Sequence, residues 1–214
     1  MRLFVALPLP EDIRRSLASL CSGLPGARWV SPESMHITLR FLGELSGREM
    51  DDVDAALAGI RAPRFNLSLA GVGHFGNGRQ LRSIWAGVTR EPALMHLHDK
   101  VESAVVRSGL APERQKYQPH VTLTRPKGTP VPKLQEYLAA HSLFRSEPWE
   151  VAYFSLYSSF LASEGAIYRE ERRYELGRGW PIGEYDEDLD DFDEVEEGEE
   201  AGGRWAEADE SRHG

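Results

Sequence analysis

Met35-His36-Ile37-Thr38-Leu39-Arg40-Phe41-Leu42-Gly43-Glu44 reads as a β-strand. Met35, Ile37, Leu39 and Phe41 fall on one face by strict alternation, and His36, Thr38 and Arg40 on the other. Imidazole and hydroxyl then stand at i and i+2, roughly 6.6 Å apart at about 3.3 Å per residue. That spacing suits a grip on one phosphate from one side. The signature returns in Tyr117-Gln118-Pro119-His120-Val121-Thr122-Leu123-Thr124-Arg125. There Val121 and Leu123 take the apolar face, and His120 and Thr122 the polar one. Two strand-borne His-x-Thr units, each with an aliphatic x and a Leu after the Thr, lie 84 positions apart in a chain with seven histidines.

Outward from these two strands, the 214 residues suit one domain with an appendage. One cysteine, Cys21, permits neither an internal disulfide nor a Cys-rich metal site, and a cytoplasmic location is expected. Met1 to Pro8 is too short for a signal-peptide core and is followed by acids, so it is expected to be the first strand. No apolar run approaches the roughly 20 residues that span a bilayer. The net charge of −9 divides unevenly: Gly183 to Gly214 carries fifteen acids and two bases, the remainder nineteen acids and twenty-three bases. Residues 1–182 are expected to form the folded domain, and 183–214 an acidic, disordered tail that repels itself. A mildly basic body is compatible with an anionic substrate.

The remaining elements follow from periodicity. Pro10-Glu11-Asp12 opens a helix with Ile13, Leu17, Leu20 and Leu24 on its stripe. Ala27 to Val30 reads as a short strand. Ser46 and Glu49 form a capping box for a helix buried through Met50, Val53, Leu57 and Ile60. Phe65 to Gly73 and Arg82 to Val88 read as strands, separated by a Gly-rich loop around His74 and Phe75. A helix after Pro92 buries Leu94, Leu97, Val101 and Val105. Pro132 to His141 is a short helix. Pro148 to Phe160 and Ala166 to Leu176 form a final hairpin joined by Ala162-Ser163-Glu164-Gly165. A strand–helix–strand–strand–helix series is followed by a similar one, which predicts an α+β fold of mostly antiparallel sheets in two pseudo-symmetric halves.

Histidine both takes and gives protons near neutral pH. His36 and His120 facing one another can divide that work, while Thr38 and Thr122 donate hydrogen bonds to the oxygens of a phosphate between them. This arrangement needs no metal, and no cofactor is expected. His96 and His98, at i and i+2 in a helical stretch, do not share a face and are not expected to bind a metal. Gly71, Gly73, Gly76 and Gly78 lack the Gly-Lys-Ser/Thr of a phosphate loop. Arg40 is either a rim contact or a solvated charge, and parity puts Phe41 in the core. The run Tyr168-Arg169-Glu170-Glu171-Arg172-Arg173-Tyr174 either flanks a cleft or is a charge-protected edge strand.

The paired His-x-Thr-Leu motifs resemble those of the two-histidine phosphoesterase superfamily. With their flanks, and with Arg2-Leu3-Phe4-Val5-Ala6-Leu7 and Leu69-Ala70-Gly71-Val72-Gly73-His74-Phe75, they resemble its LigT-like branch of RNA 2′,3′-cyclic phosphodiesterases over about the first 175 residues. The resemblance implies a bilobal fold, two antiparallel sheets flanked by helices, with His36 and His120 lining a central cleft. It implies metal-independent opening of a terminal 2′,3′-cyclic phosphate to a 2′-phosphate, with His120 as base, His36 as acid, and Thr38 and Thr122 on the phosphate. Arg125 matches a family arginine that contacts phosphate. Alternation places Arg125 opposite His120, so the strand must end or bulge before Pro126 for that match to hold. The expected partners are RNA 3′ ends or small nucleotide cyclic phosphates, with no membrane and with the protein as a monomer. Chemistry on 2′–5′ linkages, a non-catalytic RNA-binding module and a metallohydrolase are the alternatives.

Overall fold

A computed structural model describes residues 2–76, 81–126, 128–162 and 165–177. The acidic run from 183 to 214 and the hairpin residues Ser163 and Glu164 lie outside the described residues. The elements run β1 (Arg2–Pro8), α1 (Glu11–Ala18), β2 (His36–Glu44), α2 (Gly47–Ala58), β3 (Phe65–Leu67), β4 (Leu69–Phe75), β5 (Ser83–Val88), α3 (Pro92–Arg107), β6 (His120–Thr124), α4 (Val131–Ala140), β7 (Trp149–Val151), β8 (Tyr153–Ala162) and β9 (Gly165–Glu175).

The main sheet has the order β4-β5-β6-β2-β1-β8-β9, and every pairing in it is antiparallel. Its two halves, β4-β5-β6 and β2-β1-β8-β9, meet through one residue pair, Ile37 with Val121. The α+β fold with two antiparallel halves is therefore present, and each half brings one His-x-Thr strand to the junction. The small sheet pairs β3 with β7. The stretch read as one strand over 65–73 breaks at Ser68, whose hydroxyl bonds that of Thr89 at 2.8 Å. It resumes as β4 and runs on through His74 and Phe75. His74 is thus an exposed strand residue opposite Ile84, not a loop residue.

One core holds both halves together. Ile37 and Val121, the central residues of the two His-x-Thr units, have no exposed surface. They share a cluster with Ile13 and Leu17 of α1, Val53 and Leu57 of α2, and Leu97 and Val101 of α3. The helices hence cover the face of β2 and β6 that faces away from the histidines. The Ser46–Glu49 capping box of α2 forms as expected, the Ser46 amide donating to Glu49 Oε2 at 2.8 Å. A smaller cluster joins Leu24, Ile84, Leu134 and Tyr137, and the Tyr137 hydroxyl donates to the Leu20 carbonyl at 2.7 Å. The short strand expected at Ala27 to Val30 is a single bridge, Trp29 with Thr124.

Candidate active site

Both His-x-Thr strands carry a bulge at the Leu that follows the Thr. On β2, Thr38 pairs with Ala6 and Arg40 with Val5, so Leu39 has no partner on β1. On β6, Thr122 pairs with Trp85 and Thr124 with Ile84, so Leu123 has none on β5. A bulge adds one residue and shifts the side-chain alternation by one. Arg40 and Thr124 consequently turn into the core, at 8% and 0% exposure, while Phe41 and Arg125 turn out to the histidine face.

This corrects two expectations. Arg40 borders the cleft but is not a solvated charge, being 8% exposed. Its Nε lies 2.6 Å from Glu102 Oε2, outside hydrogen-bond alignment, and its Nη1 donates to Glu113 Oε2 at 3.2 Å and to the Phe41 carbonyl at 2.9 Å. Its Nη2 donates to the Ala111 carbonyl. Arg40 thus ties down the segment between α3 and β6. Phe41 is not in the core but 60% exposed. Arg125 lies just past the end of β6, which meets the condition its assignment required.

Beyond Ile37 and Val121, the two halves enclose a cleft of about 870 Å³. His36, Thr38, His120, Thr122 and Arg125 all line it, so the structure brings together all five residues singled out from sequence. Each imidazole is held in the same way. His36 Nδ1 lies 2.8 Å from the Ser34 carbonyl, and His120 Nδ1 lies 2.8 Å from the Gln118 carbonyl. A carbonyl only accepts, so Nδ1 is the protonated nitrogen and Nε2 is the one left for chemistry.

Aromatic rings box in both histidines. The His36 ring lies 4.8 Å from Phe4 and 5.2 Å, edge-on, from Tyr168. The His120 ring lies 4.9 Å, edge-on, from Phe75 and 6.1 Å from Trp85. Gly73, paired with Trp85 across β4 and β5, makes room for that indole: a Cβ there would come within 2.3 Å of the ring. These rings cost the charged imidazoles their water. Burial pushes the pKa of His36 down to about 4, opposed by its bond to Ser34 and assisted by the charges of Arg125 and His120. Burial likewise lowers that of His120, opposed by its bond to Gln118 and assisted by Arg125. Arg125 therefore acts electrostatically on both histidines.

Sequence reasoning missed the aromatic walls. Phe4, Phe75 and Tyr168 come from three other strands, and only the pairing of the sheet brings them to the motifs. It also treated His98 only as a failed metal ligand. His98 stacks on Tyr117, ring centroids 3.9 Å apart, in the cleft wall that also carries Gln115 and Lys116. The basic–aromatic run near the C-terminus combines both readings: β9 is the sheet edge, Arg172 pairs with Asp54, and Tyr168 reaches His36. Among the described residues there is no cluster of three metal-ligating side chains, and no helix is long and apolar enough to cross a membrane.

The family model for LigT-like phosphoesterases matches residues 7–85 and 87–168. The chain belongs to the LigT-like phosphoesterase family. Among its relatives, an RNA 2′,3′-cyclic phosphodiesterase of Archaeoglobus fulgidus is 32% identical over 178 residues, covering 82% of this chain and all of that protein. One of Aeropyrum pernix is 36% identical over 159 residues, covering 73% of this chain and 89% of that protein. The crystal structure of E. coli LigT, in its apo form and complexed with 3′-AMP, superposes with a TM-score of 0.69 at 27% identity, covering 83% of this chain and 98% of that one. Within this LigT-like frame each half of the cleft supplies one histidine, one threonine and a bulge at the Leu that follows.

Proposed function

We propose that this LigT-like phosphoesterase is an RNA 2′,3′-cyclic phosphodiesterase that opens the terminal ring to a 2′-phosphate without a metal ion. The observation that carries the reading is the matched pair of imidazoles in one cleft. Each gives Nδ1–H to a backbone carbonyl and keeps Nε2 for the substrate, with Thr38, Thr122 and Arg125 alongside. The relatives named as RNA 2′,3′-cyclic phosphodiesterases supply the substrate class.

The cyclic phosphate sits between the strands, its non-bridging oxygens on the hydroxyls of Thr38 and Thr122 and on the Arg125 guanidinium, which suits bidentate binding. His120 Nε2 takes a proton from water as the water oxygen bonds to phosphorus. The bond from phosphorus to O3′ breaks, and protonated His36 gives its Nε2 proton to the leaving oxygen. The assignment of base and acid follows the family resemblance, since the two sites are alike in geometry. Burial holds the free imidazoles neutral at pH 7, which readies the base. The acid acquires its proton when the phosphate anion enters, because a nearby negative charge favours imidazolium.

Mapping the product tests this reading. A short RNA with a 2′,3′-cyclic phosphate end is incubated with the protein in EDTA at neutral pH, and the new end is identified. A 2′-phosphate supports the proposal. A 3′-phosphate contradicts the regiochemistry, and an unchanged end contradicts the activity.

A further inference from the structure

We infer that Arg40 is a positioning residue for His120: it anchors the segment 111–118, whose Gln118 carbonyl holds that imidazole. The inference rests on the cyclic phosphodiesterase reading, in which His120 is a reacting group, and it adds a residue from the other half of the cleft.

The two ends of β6 are held differently. At the C-terminal end the Val30 amide donates to the Leu123 carbonyl at 2.8 Å, and the Thr124 hydroxyl donates to the Arg28 carbonyl at 2.7 Å. In the middle Val121 pairs with Ile37. The approach to the N-terminal end, residues 111–117, forms neither helix nor strand. Side chains fasten it instead. Arg40 Nη2 donates to the Ala111 carbonyl, and Nη1 donates to Glu113 Oε2. The Glu113 amide donates to Glu102 Oε1 at 2.7 Å, and Glu102 Oε2 lies 2.6 Å from Arg40 Nε. One turn earlier on the same face of α3, His98 stacks on Tyr117. Tyr117 adjoins Gln118, whose carbonyl lies 2.8 Å from His120 Nδ1.

Arg40 belongs to β2, four residues after His36. The strand that presents the first histidine therefore also fastens the chain that orients the second. A planar guanidinium engaged through all three of its nitrogens leaves little play, and this one is buried. Once it is loosened, the Gln118 carbonyl is free to move, and Nδ1–H of His120 loses its fixed acceptor. The neutral ring then exchanges its proton between Nδ1 and Nε2. A ring protonated on Nε2 has no lone pair there for a substrate or a water. The bulge at Leu39 serves this contact, because it turns Arg40 inward.

The test uses Arg40→Met combined with Glu102→Leu, which removes the anchor without stranding a buried charge. Long-range proton–nitrogen NMR correlation spectra of the ligand-free protein, recorded above neutral pH, report the tautomer of each imidazole. In wild type both His36 and His120 carry the proton on Nδ1. In the double variant His120 becomes a mixture of tautomers, while His36, held by the Ser34 carbonyl, is unchanged. On the cyclic phosphate kcat falls about tenfold while KM holds, the mark of a misplaced reacting group. A general loss of packing would not single out one imidazole. An unchanged His120 tautomer overturns the inference, whatever the rate. Arg40→Lys keeps a cation beside Glu102 but offers one nitrogen in place of three, so it moves the His120 signal in the same direction and decides the matter if the double variant does not fold. If wild type opens no cyclic phosphate, the phosphodiesterase reading fails on its own, and the spectra, which need no turnover, still decide the positioning.

Discussion

Leu39 and Leu123, each directly after the Thr of its motif, both lack a cross-strand partner, Leu39 on neighbouring β1 and Leu123 on neighbouring β5. Both are buried. The extra residue lets each strand present a histidine and a threonine to the cleft and then, after two buried residues, a third side chain on the same face. An unbroken strand would turn Arg125 away from the cleft and Phe41 into the core.

Dividing acid from base has a specific consequence. Replacing the leaving 3′-oxygen by sulfur creates a leaving group that departs without a proton. His36→Ala should then recover most of the rate it loses on the oxygen substrate, and His120→Ala should not. Single-turnover rates on the two substrates check this. The opposite pattern would exchange the two roles.

Stability should depend on pH through His36. Its folded pKa is about 4 and its unfolded value about 6.5. Above pH 6.5 the imidazole is neutral in both states and stability is complete. Between pH 6.5 and 4 only the unfolded chain takes the proton, so stability falls as pH falls, by up to about 3 kcal/mol. Urea midpoints measured across this window should decline more steeply for wild type than for His36→Asn. Parallel curves would show that burial does not depress the imidazole.

Arg40 is the next test, because its partners come from α3 and from the segment leading to β6. Arg40→Met leaves the Glu102 carboxylate, 21% exposed, without its cation and should cost about 3 kcal/mol. Adding Glu102→Leu removes that stranded charge and should recover most of the loss. Denaturant unfolding of wild type, both single variants and the double variant measures the coupling. Additive losses would mean that the ion pair carries no coupling energy.

How legible was the site in the sequence? As far as each Thr, alternation was a sound guide: His36, Thr38, His120 and Thr122 share the cleft, and Ile37 and Val121 the core. Beyond each Leu it failed by one residue, which inverted Arg40 and Phe41. A bulge is set by the register of the partner strand and leaves no local signature in propensity. The helices were legible because their stripes and the Ser46–Glu49 box are local. Strand order was not, since it depends on pairings such as Ile37 with Val121 across 84 positions. The aromatic walls around the histidines inherit that non-local origin.

Gly73 shows what those walls require. In Gly73→Ala the new methyl meets the Trp85 ring, which must shift, and Trp85 pairs with Thr122 and borders His120. The variant should lose about 1 to 3 kcal/mol of stability through overpacking. Its kcat should fall more than that of a Gly47→Ala control at the start of α2, where a Cβ meets nothing within 4 Å. Calorimetric melting together with turnover separates the two effects, and equal kcat in both variants would detach the indole from catalysis.

The most direct measurement is the rate of ring opening on RNA ending in a 2′,3′-cyclic phosphate, in EDTA, for wild type, His36→Ala and His120→Ala, with substrate binding followed in parallel. Wild type should turn over undiminished by the chelator. Each variant should lose roughly 10²- to 10⁴-fold in kcat, the range of general acid–base catalysis, while binding is largely kept. A variant that retains the wild-type rate, or a wild type silenced by EDTA, would contradict the two-histidine account.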